Sequence, residues 1–230
     1  MPPLRLMAYS PSSLLNPIQD FGGTPKIGAP ILYIVRHAQN DDDKNDRIRG
    51  LKDQPLNDTG EKQLEALGAF FSDRPVLGVY TDDLSRTRAT ANAIAMACRC
   101  GVETDIGLRS WDVGSKLEGK SMAAHKLEIQ ELKIQPAKVP VGGQSWAEFE
   151  RQAGDAIERA VRRGMEASAP VCIVTHGSVI QLFFQMYGAW DENAAYDHTP
   201  LDQTGVGALY LTRDGMECKI LRGAKSDIDE

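Results

Sequence analysis

The chain has 230 residues, 42% apolar and 25% charged, with 26 basic side chains against 32 acidic ones and a formal net charge of −6. This is an ordinary globular composition, long enough to bury a core without disulfide staples. It offers no overall positive field to nucleic acid or an anionic membrane surface.

The first thirty residues carry only Arg5, Asp20 and Lys26 but hold six of the twelve prolines. Residues 1–30 therefore read as a proline-rich N-terminal extension, and residues 31–230 as the folded domain. The uncharged stretch from Leu6 to Gln19 contains Pro11 and Pro17 and falls short of the roughly 20 apolar residues that a membrane span needs. Ser10, Ser12 and Ser13 break it as the apolar part of a signal peptide. With no secretory signal, Cys98, Cys100, Cys172 and Cys218 are expected as reduced thiols, and the cytoplasm is the expected location.

Ile31–Val35 is a short apolar run rich in β-formers, as in a strand buried on both faces. Polar residues 36–57 read as a long loop. Asp58 and Glu61 have the spacing of a capping box for a helix reaching about Ser72. After Pro75, residues 76–81 read as a strand and 84–100 as a helix, with Gly101 at its C-terminal end. Residues 102–121 read as irregular, and 122–134 as a modest helix. Ser145 is placed to cap a long amphipathic helix that ends near Ser168. A buried strand over 171–175, an apolar helix over 178–190, and a hairpin of strands at 204–212 and 216–222 complete the chain. This alternation predicts an α/β fold, a three-layer α/β/α sandwich around a mostly parallel sheet.

Open α/β sheets bind ligands beyond the C-terminal ends of their strands. The first predicted strand runs into Arg36 and His37, the second leads to Arg86, and the third to His176 and Gly177. Two arginines and two histidines at one sheet edge suit a phosphoryl group. Arginine offers bidentate, permanently charged donors. A neutral imidazole can attack phosphorus and carry it covalently, and a second, protonated histidine can bind the same oxygens. Helices starting near Leu84 and Ser178 would add their N-terminal N–H groups. The leaving alcohol also needs a proton; Asp112 is the candidate acid, with Glu118, or no protein acid, as the alternatives.

The segments Val35–Ala38, Arg47–Gly50, Pro55–Gly60, Asp83–Arg86, Gly142–Ser145 and Thr175–Gly177, in this order, resemble the histidine phosphatase superfamily, the phosphoglycerate mutase-like enzymes. The likeness runs from about residue 31 to the C-terminus. It implies an α/β/α sandwich catalytic domain and a metal-independent phosphohistidine mechanism that needs no cofactor. By motif position His37 matches the nucleophile, and Arg36, Arg86 and His176 match the phosphate pocket. Arg47 matches a residue lining the substrate side, and Asn40 and Gly177 are further expected substrate contacts. The pattern's usual glycine is here Ala38, and its asparagine six residues after the nucleophile is Asp43. An acid there would repel phosphate, so either Asn40 takes that contact or the loop points away. The acidic residue two after the motif leucine is here Ser110, which moves the expected proton donor to Asp112. Only about 22 residues separate Gly119 from Gly142, shorter than in glycolytic mutases, which favours a phosphatase.

The expected partners are a small phosphorylated substrate or a phosphoprotein, with no nucleic acid, no membrane, and room for a homo-oligomer. A catalytically weak binding or assembly module, or a phosphomutase, are the competing readings. Arg88, His125 and His198 are expected at the surface, and the Cys98–Cys100 pair lacks zinc-ligand spacing.

Overall fold

The computed structural model describes residues 26–188 and 199–224; the extension up to residue 25, and His198, lie outside them. Six strands form one sheet in the order β3-β2-β4-β1-β5-β6. They are β1 (Pro30–Arg36), β2 (Gly78–Thr81), β3 (Gly101–Thr104), β4 (Val171–Thr175), β5 (Leu201–Thr212) and β6 (Gly215–Ala224). The first four run parallel, β5 lies antiparallel to β1, and β6 antiparallel to β5. The helices are α1 (Asp41–Lys44), α2 (Asp58–Phe71), α3 (Ser85–Cys98), α4 (Met122–Ile134), α5 (Trp146–Ala167) and α6 (Gly177–Met186).

Alternation along the central strands builds the two faces. Leu32 and Ile34 of β1 and Val171 and Ile173 of β4 pack with Phe149, Ile157 and Val161 of α5 and Ile180 and Phe183 of α6. Tyr33, Val35, Cys172 and Val174 point the other way, to Leu67 and Phe71 of α2 and Ala91 and Ile94 of α3. The result is the predicted three-layer sandwich. Both central strands lack an exposed face, which explains their uninterrupted apolar runs.

Local chemistry sets the helix ends. Ser145 caps α5 as predicted, within a capping box in which the Ser145 and Glu148 side chains each accept from the other's backbone N–H. At α2 the cap is Asn57 rather than Asp58, its side chain accepting from the Gly60 amide. The α3 helix ends at Cys98 through a left-handed Arg99, and Gly101 instead opens β3. Residues 102–121, predicted irregular, contain most of that strand and a 3-10 turn at Ile106–Leu108. β3 is an exposed edge strand, so its sequence carries no burial pattern to read. The loop predicted over 36–57 holds the short α1, closed by its own capping box between Asn40 and Asp43.

Candidate active site

The register of the sheet brings the two histidines together. Arg36 of β1 pairs with Thr175 of β4, and the His37 amide donates to the Thr175 carbonyl at 3.0 Å. His37 and His176, the next residue on each strand, stand with ring centroids 5.1 Å apart. Both are buried, as are Arg36 and Arg86, the second of which reaches in from the first turn of α3.

Hydrogen-bond partners fix the His37 tautomer. Nδ1 lies 2.8 Å from the Ala38 carbonyl oxygen, which can only accept, so Nδ1 carries the proton and Nε2 holds the lone pair. Burial, then His176, Arg86, Arg49 and Arg36, hold its pKa well below the ordinary histidine value. His37 is therefore a neutral imidazole with a free nucleophilic nitrogen at pH 7.

His176 was expected to be protonated. Burial pushes its pKa down, Asp82 opposes, and Arg86 and Arg49 push the same way as burial, leaving it below the ordinary value. In the free pocket it is neutral. Its Nε2 meets the Asp82 carboxylate, while Nδ1 faces Arg86 Nη2 at 3.4 Å. Asp82 was not singled out in the sequence. It is completely buried and also accepts from the Leu84 amide and the Thr87 hydroxyl. Burial works to raise its carboxyl, but His176 and these donors outweigh that and hold it down.

Arg36 donates from Nη1 to the Leu201 carbonyl at 3.0 Å, and Arg86 donates to the carbonyls of Lys52 and Gly50. Burial lowers the Arg36 pKa to about 10, so it stays charged at neutral pH. Among the described residues, Arg36 Nε, Arg86 Nε and Asn40 Nδ2 are buried N–H donors with no protein partner. Buried donors are normally satisfied; on Arg36 and Arg86, whose charges both act on the His37 ring, open donors mark a place where an acceptor-rich group binds.

The Asp43 loop does not point away. Asp43 points into the site, its side chain fully buried, with Oδ1 2.6 Å from Arg49 Nη1, 3.6 Å from Arg36 Nη2, and accepting from Gln203 Nε2 at 3.0 Å. Its Oδ2 accepts from the Asn40 amide. Asn40 caps α1 and keeps its Nδ2 free of protein partners.

Two arginines of the Arg47–Gly50 loop divide differently from expectation. Arg47 is exposed and donates to the Gly119 carbonyl, whereas Arg49, which sequence reasoning passed over, reaches Asp43 and the pocket. Gly177 begins α6, with His176 as its N-cap and no side chain closing that helix end. At the start of α3 the Leu84 N–H bonds Asp82 and the Ser85 N–H bonds Asp53.

None of the candidate acids touches the histidines. Asp112 Oδ1 accepts from the Gly114 amide at 3.0 Å and Glu118 Oε1 from the Lys52 amide at 2.6 Å. Ser110 Oγ lies 3.3 Å from Ser178 Oγ at the start of α6. Arg88 is exposed, and His125 binds the Ser121 carbonyl, away from the site.

Fold and site together define an α/β/α protein of the phosphoglycerate mutase-like kind, with paired histidines and arginines at the strand ends. The chain belongs to the histidine phosphatase superfamily, branch 1, whose profile matches residues 32–222. It is 32% identical over 152 residues, 64% of this chain and 69% of the other, to the Serratia proteamaculans (strain 568) protein named Probable phosphoglycerate mutase GpmB. With the GpmB protein of Klebsiella pneumoniae (strain 342), identity is 40% over 83 residues, 36% of this chain; the aligned segment spans 39% of that relative's length. Solved structures extend the likeness of fold. Bacillus stearothermophilus YhfR superposes with a TM-score of 0.69 at 22% identity, covering 86% of this chain and 98% of that one. The mycobacterial glucosyl-3-phosphoglycerate phosphatase in complex with VO3 gives 0.67 at 20% identity, covering 85% and 99%. Among the described residues no helix is long and apolar enough to cross a membrane.

Proposed function

We propose that this chain is a phosphomonoester hydrolase that works through a covalent phosphohistidine on His37. The observation that carries this reading is the arrangement around that ring. Nδ1–H is committed to the Ala38 carbonyl, so Nε2 is the attacking atom; Arg86 and Arg36 act on its ring, and both, like Asn40, keep a buried N–H without a protein partner. Such donors stabilise the charge on a phosphoryl group in transit without reorganising at the moment of reaction. The reading also draws on likeness: a structural neighbour is named a phosphatase and binds VO3.

Attack by Nε2 on phosphorus expels the leaving oxygen, and water then attacks the phosphohistidine to regenerate the imidazole. Arg36, Arg86 and His176 are the proposed phosphate ligands, with Asn40 and the Gly177 end of α6 as further donors. The substrate is a small phosphorylated molecule or a phosphoprotein. Comparing wild type with His37→Ala on a panel of aryl and alkyl phosphates tests the proposal. The variant is expected to lose turnover by about 10³-fold or more, the scale of losing a covalent nucleophile. Undiminished turnover overturns it.

One observation favours a second reading, a phosphate-binding module of weak turnover. Asp43 places a carboxylate against Arg36 and Arg49, and Ser110 stands where the family pattern has an acid. Tight vanadate binding with no hydrolysis of any ester on the panel supports that reading. Transfer of phosphate to an added acceptor alcohol in preference to water supports a mutase, the activity named for the Serratia relative.

A further inference from the structure

The leaving alkoxide of an alkyl phosphate has to be protonated, and among the described residues neither Asp112 nor Glu118, the acids expected for that step, meets either histidine. Ser110 carries a hydroxyl, and the Asp112 and Glu118 carboxylates are bound to backbone amides of turns. A different titratable pair does face the nucleophile. Asp82 follows β2 directly, is completely buried, and is fixed by the Leu84 amide and the Thr87 hydroxyl on Oδ1. Its other oxygen meets His176 Nε2. Arg86, which can only donate, stands 3.4 Å from His176 Nδ1. The pair of contacts assigns one tautomer: Nε2–H donates to Asp82, and the Nδ1 lone pair accepts from Arg86, itself one of the cations around His37.

We propose that His176, positioned by Asp82, is the general acid and general base of this reaction. The inference rests on the phosphohydrolase reading above. A buried carboxylate behind a histidine fixes its tautomer and stabilises the imidazolium that forms when it takes a proton. The charged and titratable groups facing His176 are Asp82 at the end of β2, Arg86 of α3, His37 at the end of β1, and Arg49 of the loop before Lys52.

The proton balance closes. A phosphate monoester monoanion brings one acidic proton, which passes to His176 Nδ1. His37 Nε2 forms the N–P bond as the P–O bond to the alcohol breaks, and the leaving oxygen takes the proton from His176. A water then gives a proton to the neutral His176 as its oxygen bonds phosphorus. The N–P bond breaks, its electron pair returns to His37 Nε2, His176 gives its proton back to a phosphate oxygen, and inorganic phosphate departs. Asp82 keeps its charge throughout.

The test is the leaving-group dependence of kcat/KM, which reports the steps through phosphoryl transfer to His37. Wild type and Asp82→Asn are compared on 2,4-dinitrophenyl, 4-nitrophenyl, phenyl and n-butyl phosphate. Dinitrophenolate leaves without a proton; butoxide does not. The expected loss in Asp82→Asn is small for the first ester and rises to about 10²-fold for the last, the lower range of general acid catalysis. An equal loss across the series, with wild-type phosphoenzyme formation at His37, overturns the dyad alone. No turnover of any ester by wild type, or full turnover by His37→Ala, overturns the phosphohydrolase reading and the dyad with it. If Asp82→Asn does not fold, ¹⁵N NMR of the wild-type imidazoles decides. His176 protonated on Nε2 is expected, and protonation on Nδ1 in the free protein overturns the proposal.

Discussion

At Asp43 a single side chain decides how much of the pocket's charge an incoming phosphate meets. The carboxylate accepts from Arg49, Gln203 and the Asn40 amide and stands 3.6 Å from Arg36. It is fully satisfied, which is why the fold tolerates a buried acid there. It also neutralises part of the positive field that an anion would use. Replacing it by asparagine keeps an acceptor for Arg49 and removes the negative charge. Asp43→Asn is expected to tighten inorganic phosphate binding by about tenfold, equivalent to about 1.4 kcal/mol, as read by titration calorimetry. Unchanged or weaker binding contradicts that role. The sequence showed this position as a departure but not its outcome. Whether the loop turns in or out depends on Arg49 and Gln203, one nearby in the chain and one far from it.

At the scale of elements, the site depends on how closely α5 packs on β1, because that packing holds the strand whose end carries His37. A Cβ at Gly164 would lie 2.2 Å from the Ile31 carbonyl oxygen, so the helix approaches the strand through a missing side chain. Gly164→Ala is therefore expected to destabilise the protein by about 1–3 kcal/mol, despite alanine's better helix propensity. Thermal melting checks this, with a fall in Tm of roughly 2–4 °C per kcal/mol at this chain length; no fall contradicts the close approach. Elements of this kind were legible when a core face or a capping pattern spoke for them. β1, β4 and α5 are the clear cases, the last through its cap Ser145. β3 was not, since an exposed edge strand such as Gly101–Thr104 gains its structure from pairing with β2 rather than from burial. The cap of α2 moved one residue, to Asn57, because two adjacent cap-forming side chains compete and only tertiary packing selects between them.

For the molecule as a whole, two buried neutral histidines couple folding to pH. Each keeps its folded-state pKa below the ordinary value near 6.5, so below that pH the unfolded chain binds protons that the folded protein refuses. Stability is then expected to fall as pH drops from about 6.5 toward 5, with each histidine contributing up to about 1.4 kcal/mol per pH unit. Urea denaturation across that window checks the sign, and His37→Ala is expected to reduce the slope. A stability that rises on acidification contradicts it.

Motif order along the chain placed His37, Arg36, Arg86 and His176 at the ends of parallel strands, and the sheet brings them to one edge. Asp82 and Arg49 were hidden because nothing local distinguishes a buried carboxylate or guanidinium from a solvated one. The central claim is covalent chemistry at one atom of one ring, and ³¹P NMR of the alkali-quenched phosphoenzyme tests it most directly. Phosphoryl on Nε2 of His37 is the expected result, since Nδ1 is held by the Ala38 carbonyl. Phosphoryl on Nδ1, on another residue, or on none during turnover contradicts the account.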